Sequence, residues 1–379
     1  MPAALLPAPA DPMLAALTLA EGAVGLSDPN PRVGCVITSA CGRWLLGQGH
    51  TQAAGQAHAE VMALRDAAAQ GHDVRGATAW VTLEPCAHHG RTPPCCDALV
   101  AAGMARVVVA LGDPNPQVNG QGVARLRAAG VQVAFASPEH AQAAAELNLG
   151  FLSRMQRGRP FVRLKVAGSL DGRTALANGV SQWITSAEAR ADGHAWRKRA
   201  GAVLTGIQTV LADDPQLDVR HVPTAHQPAR VVLDSQLRLP PNARLLHPSA
   251  GAGPVWLYTA LPEHAPAVLA WRARGLRVVS APAPQGRVNL ADVLADLGRQ
   301  GINELHVEAG ATLNGAWLAG GWVDELLCYL APTVLGQGAG LAHLGPWDTL
   351  APATRWQWHA VERIGPDLRL RLRPTPSAP

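Results

Sequence analysis

Six cysteines and fourteen histidines are spread through 379 residues, and three of these side chains fall in a pattern that could hold a metal. His58 precedes Glu60 by two residues, Cys86 follows Pro85, and Cys95 comes after eight intervening residues. One imidazole and two thiolates suit Zn²⁺, and three protein ligands leave a fourth position for water, as in a catalytic site. Zinc held in this way supplies hydroxide near neutral pH. Hydrolysis also needs an acid/base group beside the metal that does not ligate it, and Glu60 can serve from the helix start that carries His58. Cys95 falls at a predicted helix N-terminus, where the dipole favours the thiolate. The assignment is His58, Cys86 and Cys95 as ligands, water as the fourth, and Glu60 as proton shuttle. Cys96 faces elsewhere if Cys95 ligates, and Cys35, Cys41 and Cys328 are read as core.

These residues must be positioned by an alternation of strands and helices. Residues 13–23 and 58–69 read as helices, with Gly71 able to end the second. Val33–Ile37, Ala77–Leu83 and Val107–Leu111 read as strands. Pro93 and Pro94 suit the start of a helix over Cys95–Ala102, and Gly103 suits its end. The alternation reaches about residue 135 and predicts an α/β sandwich. A helical, then basic, stretch (Arg154, Arg157, Arg159) makes residues 148–160 the expected junction between domains 1–147 and 161–379. Beyond it a second alternation begins with a strand over Phe161–Ala167. A capping-box spacing at Thr185-Ser186-Ala187-Glu188 opens a helix to Arg199. Strands follow at Ala202–Thr205, Val231–Asp234, Val255–Tyr258, Arg277–Ser280 and Glu304–Val307, with helical segments near 265–274 and 290–299. The end, Trp356–Val361 and Asp367–Leu372, alternates like an antiparallel hairpin.

A hydrophobic content of 48% with 16% charged residues excludes a disordered chain, and the length suits two domains. The net charge of +4 and the lack of any block of five basic residues fit an anionic small substrate and no nucleic acid. Arg197-Lys198-Arg199 is read either as a solvated face or as a phosphate site. Few, clustered cysteines argue against a disulfide framework. The first Lys or Arg is Arg32, prolines interrupt the N-terminus, and no run of 18 apolar residues occurs, so a cytoplasmic protein without a membrane segment is expected. Only two of the 32 Lys and Arg residues are lysine, at 165 and 198, so either is a candidate for chemistry.

His58-Ala59-Glu60 with Pro85-Cys86 resembles the zinc-deaminase signature, in which the second cysteine follows the first after two residues. The full run Thr82-Leu83-Glu84-Pro85-Cys86-Ala87-His88-His89-Gly90-Arg91-Thr92-Pro93-Pro94-Cys95 goes further. It resembles the bifunctional riboflavin-biosynthesis deaminase/reductase family. The likeness continues at Pro29-Asn30-Pro31-Arg32, Asp113-Pro114-Asn115-Pro116, Ser169-Leu170-Asp171-Gly172-Arg173, Leu211-Ala212-Asp213-Asp214-Pro215 and Val307-Glu308-Ala309-Gly310.

The resemblance implies a cytidine-deaminase-like α/β/α sandwich followed by an α/β domain similar to dihydrofolate reductase. It implies removal of the 2-amino group of 2,5-diamino-6-(5-phosphoribosylamino)pyrimidin-4(3H)-one, then reduction of the ribosyl group to ribityl with NADPH. Carried over, the nucleotide contacts are Ala167, Trp183, Thr209, Asp213, Ser235 and the loop Gly310, Ala311, Thr312, Leu313, Asn314, Gly315 and Ala316, with Ala311 where the family often has Pro. Substrate contacts in the second half are Ser181, Arg197, Leu217 (through its backbone), Arg220 and Glu308. In the first half they are Asn30, Asp113 and Asn115. Arg91 could meet the substrate phosphate, and His88 or His89 the ring. The family also implies pairing into a homodimer through the reductase domain.

Physical reading of the second half adds two expectations. The run from Val307 to Gly315 goes strand, small-residue loop, helix start, which makes either a tight turn or an anion site for a pyrophosphate. Hydride transfer to a ribosyl carbonyl or imine needs an electrophilic partner, and Lys165 is the candidate. Two other readings stand beside this one. A free-base, nucleoside or tRNA-adenosine deaminase could carry an unrelated C-terminal module. A structural zinc would instead want a fourth protein ligand, which His88, His89 or Cys96 could supply.

Overall fold

In the computed structural model, residues 4–88, 93–115, 118–247, 251–350 and 354–375 are described. The chain divides into two compact units, Met1–Gly158 and Arg159–Pro379.

The first unit is built on a six-stranded sheet. Its strands are β1 (Leu6–Pro7), β2 (Gly34–Thr38), β3 (Trp44–His50), β4 (Thr78–Val81), β5 (Arg106–Val109) and β6 (Gln132–Phe135), in spatial order β1-β3-β2-β4-β5-β6. β4, β5 and β6 run parallel, and the pairings of β1, β2 and β3 are antiparallel. Alternation along β2 assigns the two faces. Cys35 and Ile37 join a core with Ala59 and Ala63 of α2 (Ala59–Ala69), Leu99 of α3 (Cys95–Ala101) and Leu126 of α4 (Gln121–Ala128). Val36 packs on the opposite side with Met13, Ala16 and Leu17 of α1 (Pro12–Glu21) and Ala144 of α5 (Pro138–Leu147). A sandwich results. Helix α6 (Leu149–Arg157), which lies within the expected junction, sends Phe151 into the first of these cores.

The seating of α2 decides where its N-terminus points. Gly47 and Gly49 of β3 lie directly under it. A Cβ at Gly47 would fall 2.3 Å from the Ala63 carbonyl oxygen, and one at Gly49 would fall 2.5 Å from Met62 Cβ. A larger residue at either position would push the helix off the sheet.

The second unit is built on a nine-stranded sheet. Its strands are β7 (Phe161–Ser169), β9 (Ala202–Gly206), β10 (Ala229–Leu233), β11 (Val255–Thr259), β12 (Arg277–Ser280), β15 (Glu304–Val307), β16 (Glu325–Ala331), β18 (Trp356–Ile364) and β19 (Asp367–Pro374). The remaining strands, β8 (Arg173–Leu176) with β17 (Gly338–Gly340) and β13 (Pro282–Ala283) with β14 (Arg287–Val288), form two small ribbons. The spatial order is β12-β11-β10-β9-β15-β7-β16-β19-β18. All pairings are parallel except those of β19, which runs antiparallel to β16 and β18. Helices cover both faces: α10 (Leu290–Arg299) and α11 (Ala311–Ala319) with Trp317 on one side, and α7 (Ala187–Arg199) over Leu327 and Tyr329 on the other. Helices α8 (Ile207–Asp213) and α9 (Pro266–Ala273) enclose a further apolar cluster with Val232, Leu257 and Val278.

A buried ion network ties the middle of this sheet together. Arg163 on β7 donates to Glu304 of β15 and to Glu325 of β16, each at 2.7 Å, and is itself fully buried. Arg199 reaches Glu304 at 3.0 Å, and Arg371 reaches Glu325 at 2.8 Å. Every carboxylate therefore faces more than one guanidinium. That is the condition under which buried charge is tolerated.

Three expectations are corrected. Cys41 is exposed, because it sits in the tight turn between β2 and β3 beside Gly42 (φ +73°), where no core reaches it. Ser186, not Thr185, caps α7: its side chain accepts the Ala189 N–H at 3.2 Å. Its own N–H is taken by Asp367 at 2.7 Å, so Glu188 has no reciprocal role. Arg197 and Arg199 are not a solvated face, since both turn inward to glutamates.

Candidate active sites

His58 is the residue immediately before α2 and has extended backbone angles, so its ring projects from the helix mouth. Pro94 ends the preceding segment and makes Cys95 the first residue of α3. The chain leaving β4 brings Cys86 between them. His58 Nδ1 lies 3.3 Å from Cys95 Sγ and 3.7 Å from Cys86 Sγ, and the three ligating atoms fall within 4.8 Å of one another. Among the described residues no fourth His, Cys, Asp or Glu joins the group. Cys96 packs in the core, its sulfur toward Asp97, and His88 stands apart from the sulfurs. The Cys86 thiol is lowered to about 4 by its contact with Cys95 and by His58, whereas the same contact and burial push Cys95 up. One imidazole and two sulfurs converging in this way, with one side left open, fit a catalytic zinc.

Glu60 lies in the first turn of α2, 3% exposed. Burial pushes its carboxyl up to about 7, helped by Cys86 and opposed by His58. Beside it opens a cavity of about 330 Å³ lined by Asn30, His58, Glu60, Cys86, His88, Asp113 and Asn115. Asn30, Asp113 and Asn115 are thus brought to the same cavity as the metal group. Burial raises Asp113 to about 6, against the lowering effect of the Asn115 N–H that its carboxylate accepts at 2.8 Å. His88 Nδ1 is buried there without a hydrogen-bond partner among the described residues. His89 and Arg91 lie outside the described residues.

Residue types alone gave no role to two groups here. Glu84, 5% exposed, accepts N–H groups from Asp113 (3.2 Å), Gly120 (3.0 Å) and Val123 (3.1 Å), and so holds the segment that carries Asp113 and Asn115. Arg154 on α6 also lines the cavity and donates to the Pro29 carbonyl at 3.0 Å. The only sequence signal for Glu84 is its position two residues before Cys86.

In the second unit the expected contacts divide between two cavities. Lys165, Ala167, Ser181, Trp183, Asp213, Arg197, Leu217, Arg220 and Glu308 surround a space of about 710 Å³, and Thr209 borders it. Thr209 also borders a second space of about 580 Å³, lined by Ser235, Gly310, Ala311, Thr312, Leu313 and Ala316. Asn314 and Gly315 do not line it. They occupy the packed face of α11, where Asn314 Nδ2 donates to the Leu341 carbonyl and a Cβ at Gly315 would strike the His343 carbonyl. Gly310 has open space where a Cβ would stand, immediately before the first N–H groups of α11. Those first-turn groups lack intrahelical acceptors and suit a phosphate.

Lys165 is lowered by burial and by Arg197, with Glu308 acting in the opposite direction. Its Nζ stands 5.9 Å from the Tyr329 ring centre. Arg197 grips Glu308 through Nε (2.5 Å) and Nη2 (2.8 Å) and gives Nη1 to the Asp218 carbonyl, so three of its five N–H groups are already engaged. Glu308 is held well below the usual carboxylate range, by Arg197 and then Lys165, despite burial. Leu217 has a φ of +54° and is buried.

The family model for the cytidine and deoxycytidylate deaminase zinc-binding region matches residues 10–111, and that for the RibD C-terminal domain matches residues 160–370. The riboflavin biosynthesis protein RibD of Escherichia coli (strain K12) is 44% identical over 95% of this chain and 98% of its own. Acinetobacter baumannii RibD superimposes with a TM-score of 0.85 at 44% identity, covering 96% of this chain and 98% of that one. A diaminohydroxyphosphoribosylaminopyrimidine deaminase/5-amino-6-(5-phosphoribosylamino)uracil reductase from Thermotoga maritima gives 0.83 at 32% identity, with the same coverages. The first unit is accordingly a cytidine-deaminase-like sandwich and the second a RibD C-terminal, dihydrofolate-reductase-like domain. By sequence, by fold and across nearly its whole length, the chain belongs to the RibD family of riboflavin biosynthesis proteins.

Proposed function

We infer that the protein is a bifunctional enzyme of riboflavin biosynthesis. The first unit deaminates 2,5-diamino-6-(5-phosphoribosylamino)pyrimidin-4(3H)-one, and the second reduces the resulting 5-amino-6-(5-phosphoribosylamino)uracil to its ribityl form. The observation that carries this reading is the convergence of His58, Cys86 and Cys95 beside a buried, non-ligating Glu60 at the end of a cavity.

His58, Cys86 and Cys95 would hold Zn²⁺, which when bound supplies a Lewis acid that activates water near neutral pH. Water adds to the ring carbon bearing the 2-amino group, and the carbon–nitrogen bond then breaks to release ammonia. Glu60 accepts a proton from the attacking water and delivers it to the departing amine. Glu60, buried beside the metal group and in the first turn of the helix that follows His58, is placed for both transfers. Asn30, Asp113 and Asn115, which line the same cavity, orient the pyrimidine and ribose.

In the second unit the nicotinamide cofactor is NADPH, which when bound supplies the hydride. The head of α11 would receive its phosphates, and Ala167, Trp183, Thr209, Asp213 and Ser235 its remaining groups. Lys165 faces the ribosyl carbon's heteroatom and stabilises the charge that develops there, steadied by Glu308. Ser181, Arg197, Arg220, Glu308 and the Leu217 backbone hold the phosphoribosyl chain.

The test incubates the zinc-loaded protein with the diaminopyrimidine phosphoriboside and NADPH, and follows ammonia and NADPH loss separately. Both are expected in equal amounts. Glu60→Gln should retain zinc and lose ammonia release by roughly 10³-fold, while still oxidising NADPH when given the deaminated intermediate. Full-speed ammonia release by this variant would overturn the reading.

A further inference from the structure

The larger cavity of the second unit contains a polar group that none of these roles uses. His194 stands one turn before Arg197 on α7 and lines the same cavity as Arg197, Arg220 and Glu308. Its orientation is held from behind. The Arg220 backbone N–H donates to His194 Nδ1 at 2.9 Å, so the neutral ring carries its proton on Nε2. The His221 ring meets it edge-on, with centroids 4.8 Å apart and planes at 86°, which fixes the ring plane.

Nε2 has no hydrogen-bond partner among the described residues and is not sealed off from the cavity. The charged and titratable groups around the ring are Arg197 on its own helix, Arg220 and His221 from the segment after α8, and Glu308 beyond β15. Burial, then Arg197 and Arg220, push the imidazole down to about 4, and Glu308 only partly opposes them. At neutral pH the group is therefore an uncharged donor on a cavity also lined by Arg197, paired with Glu308, and Arg220, paired with Asp218. A ligand group that meets His194 together with the remaining N–H groups of Arg197 and Arg220 must offer acceptors, and a phosphate offers several oxygens to planar donors of this kind.

We propose that His194 is a specificity-determining residue of the reductase, donating its Nε2–H to a phosphate oxygen of the substrate's phosphoribosyl group. Its part is positioning: the imidazole holds the phosphate end so that the ribosyl carbon lies at the cofactor. The inference rests on the reductase reading given above. Failure of the wild-type protein to reduce the deaminated intermediate overturns that reading and this inference with it, whereas losses confined to the variants below test this inference alone.

The experiment compares wild type, H194Q and H194F on 5-amino-6-(5-phosphoribosylamino)uracil and on its dephosphorylated form. Gln reproduces both hydrogen bonds, accepting from Arg220 and donating to the ligand, whereas Phe keeps the ring and neither bond. H194F should raise KM for the phosphorylated substrate roughly 10- to 100-fold, leave kcat/KM for the dephosphorylated one unchanged and leave NADPH affinity unchanged. H194Q should stay close to wild type. Equal losses of H194F on both substrates, no loss on either, or an H194Q variant as impaired as H194F would each overturn the proposal. Should H194F not fold, ¹⁵N NMR of wild-type His194 with inorganic phosphate decides. A downfield Nε2–H and a raised titration midpoint support the assignment, and an unmoved resonance refutes it.

Discussion

Replacing Glu84 by glutamine removes one charge and changes no volume, yet it should damage deamination although Glu84 belongs neither to the metal group nor to the proton shuttle. The carboxylate accepts three backbone N–H groups: Asp113 and Gly120 at Oε2, and Val123 at Oε1. Glutamine has one acceptor oxygen. Placed at Oε2 it keeps two of these bonds as neutral ones and turns its NH₂ toward the Val123 N–H. Charge-assisted bonds are about twice as strong as neutral ones, and a buried N–H left facing a donor costs about 1–3 kcal/mol. Weakening two bonds and orphaning one donor sum to about 3 kcal/mol, after allowing for the lower desolvation cost of an amide. For a unit of this size that lowers Tm by roughly 6–12 °C. The loosened segment carries Asp113 and Asn115, so KM for the diaminopyrimidine should rise together with a fall in kcat, while zinc content and NADPH oxidation of the deaminated intermediate stay unchanged. Calorimetry, metal analysis and the two separated assays read these quantities. A Glu84→Gln protein that melts with wild type and deaminates at full rate would show that the carboxylate holds nothing in place.

Three further outcomes are expected. Stripping metal with a chelator should abolish ammonia release and leave reduction of the deaminated intermediate intact, with activity restored by Zn²⁺; loss of both activities would tie the metal to the whole chain. Lys165→Met should lower reduction turnover far more than NADPH affinity, and equal losses would remove its electrophilic role. Glu325 is held at about 2, despite burial, by Arg163 and Arg371. Its folded-state value lies below the ordinary 4.5, so its stabilising effect is complete above pH 4.5 and disappears as pH falls toward 2. Urea titrations across that window should show the second unit losing stability with acid, whereas Glu325→Gln should be weaker by about 3–5 kcal/mol at pH 7 and flatter below pH 4.5; an unchanged acid slope would refute the assignment.

Chemistry was readable from residue order where ligands cluster at short spacing. His58, Glu60, Cys86 and Cys95 were named because their types suit a zinc site and their order resembles the zinc-deaminase signature, with Pro94 and Gly103 marking the limits of α3. Most strands of the second sheet were found because their apolar runs are short and bounded by turn residues. The two-residue strands, Gln132–Phe135 and both small ribbons escaped, and so did two longer strands. Trp44–His50 has its alternation broken by Gly47 and Gly49, which serve close packing under α2 and carry no periodic signal. Glu325–Ala331 is buried on both faces between β7 and β19, and nothing in an unbroken apolar run identifies it as a strand.

What lay beyond the sequence concerns partners far apart in the chain. Glu84 meets amides 29 to 39 residues away, Arg197 meets Glu308 across 111 residues, and Arg163 joins two strands more than 140 residues on. A glutamate or arginine has the same composition whether it binds substrate, holds a loop or lies in a sheet. Local spacing specifies which atoms a helix turn or strand end can present. Whether those atoms meet a ligand or one another depends on which distant segments the packed core brings alongside.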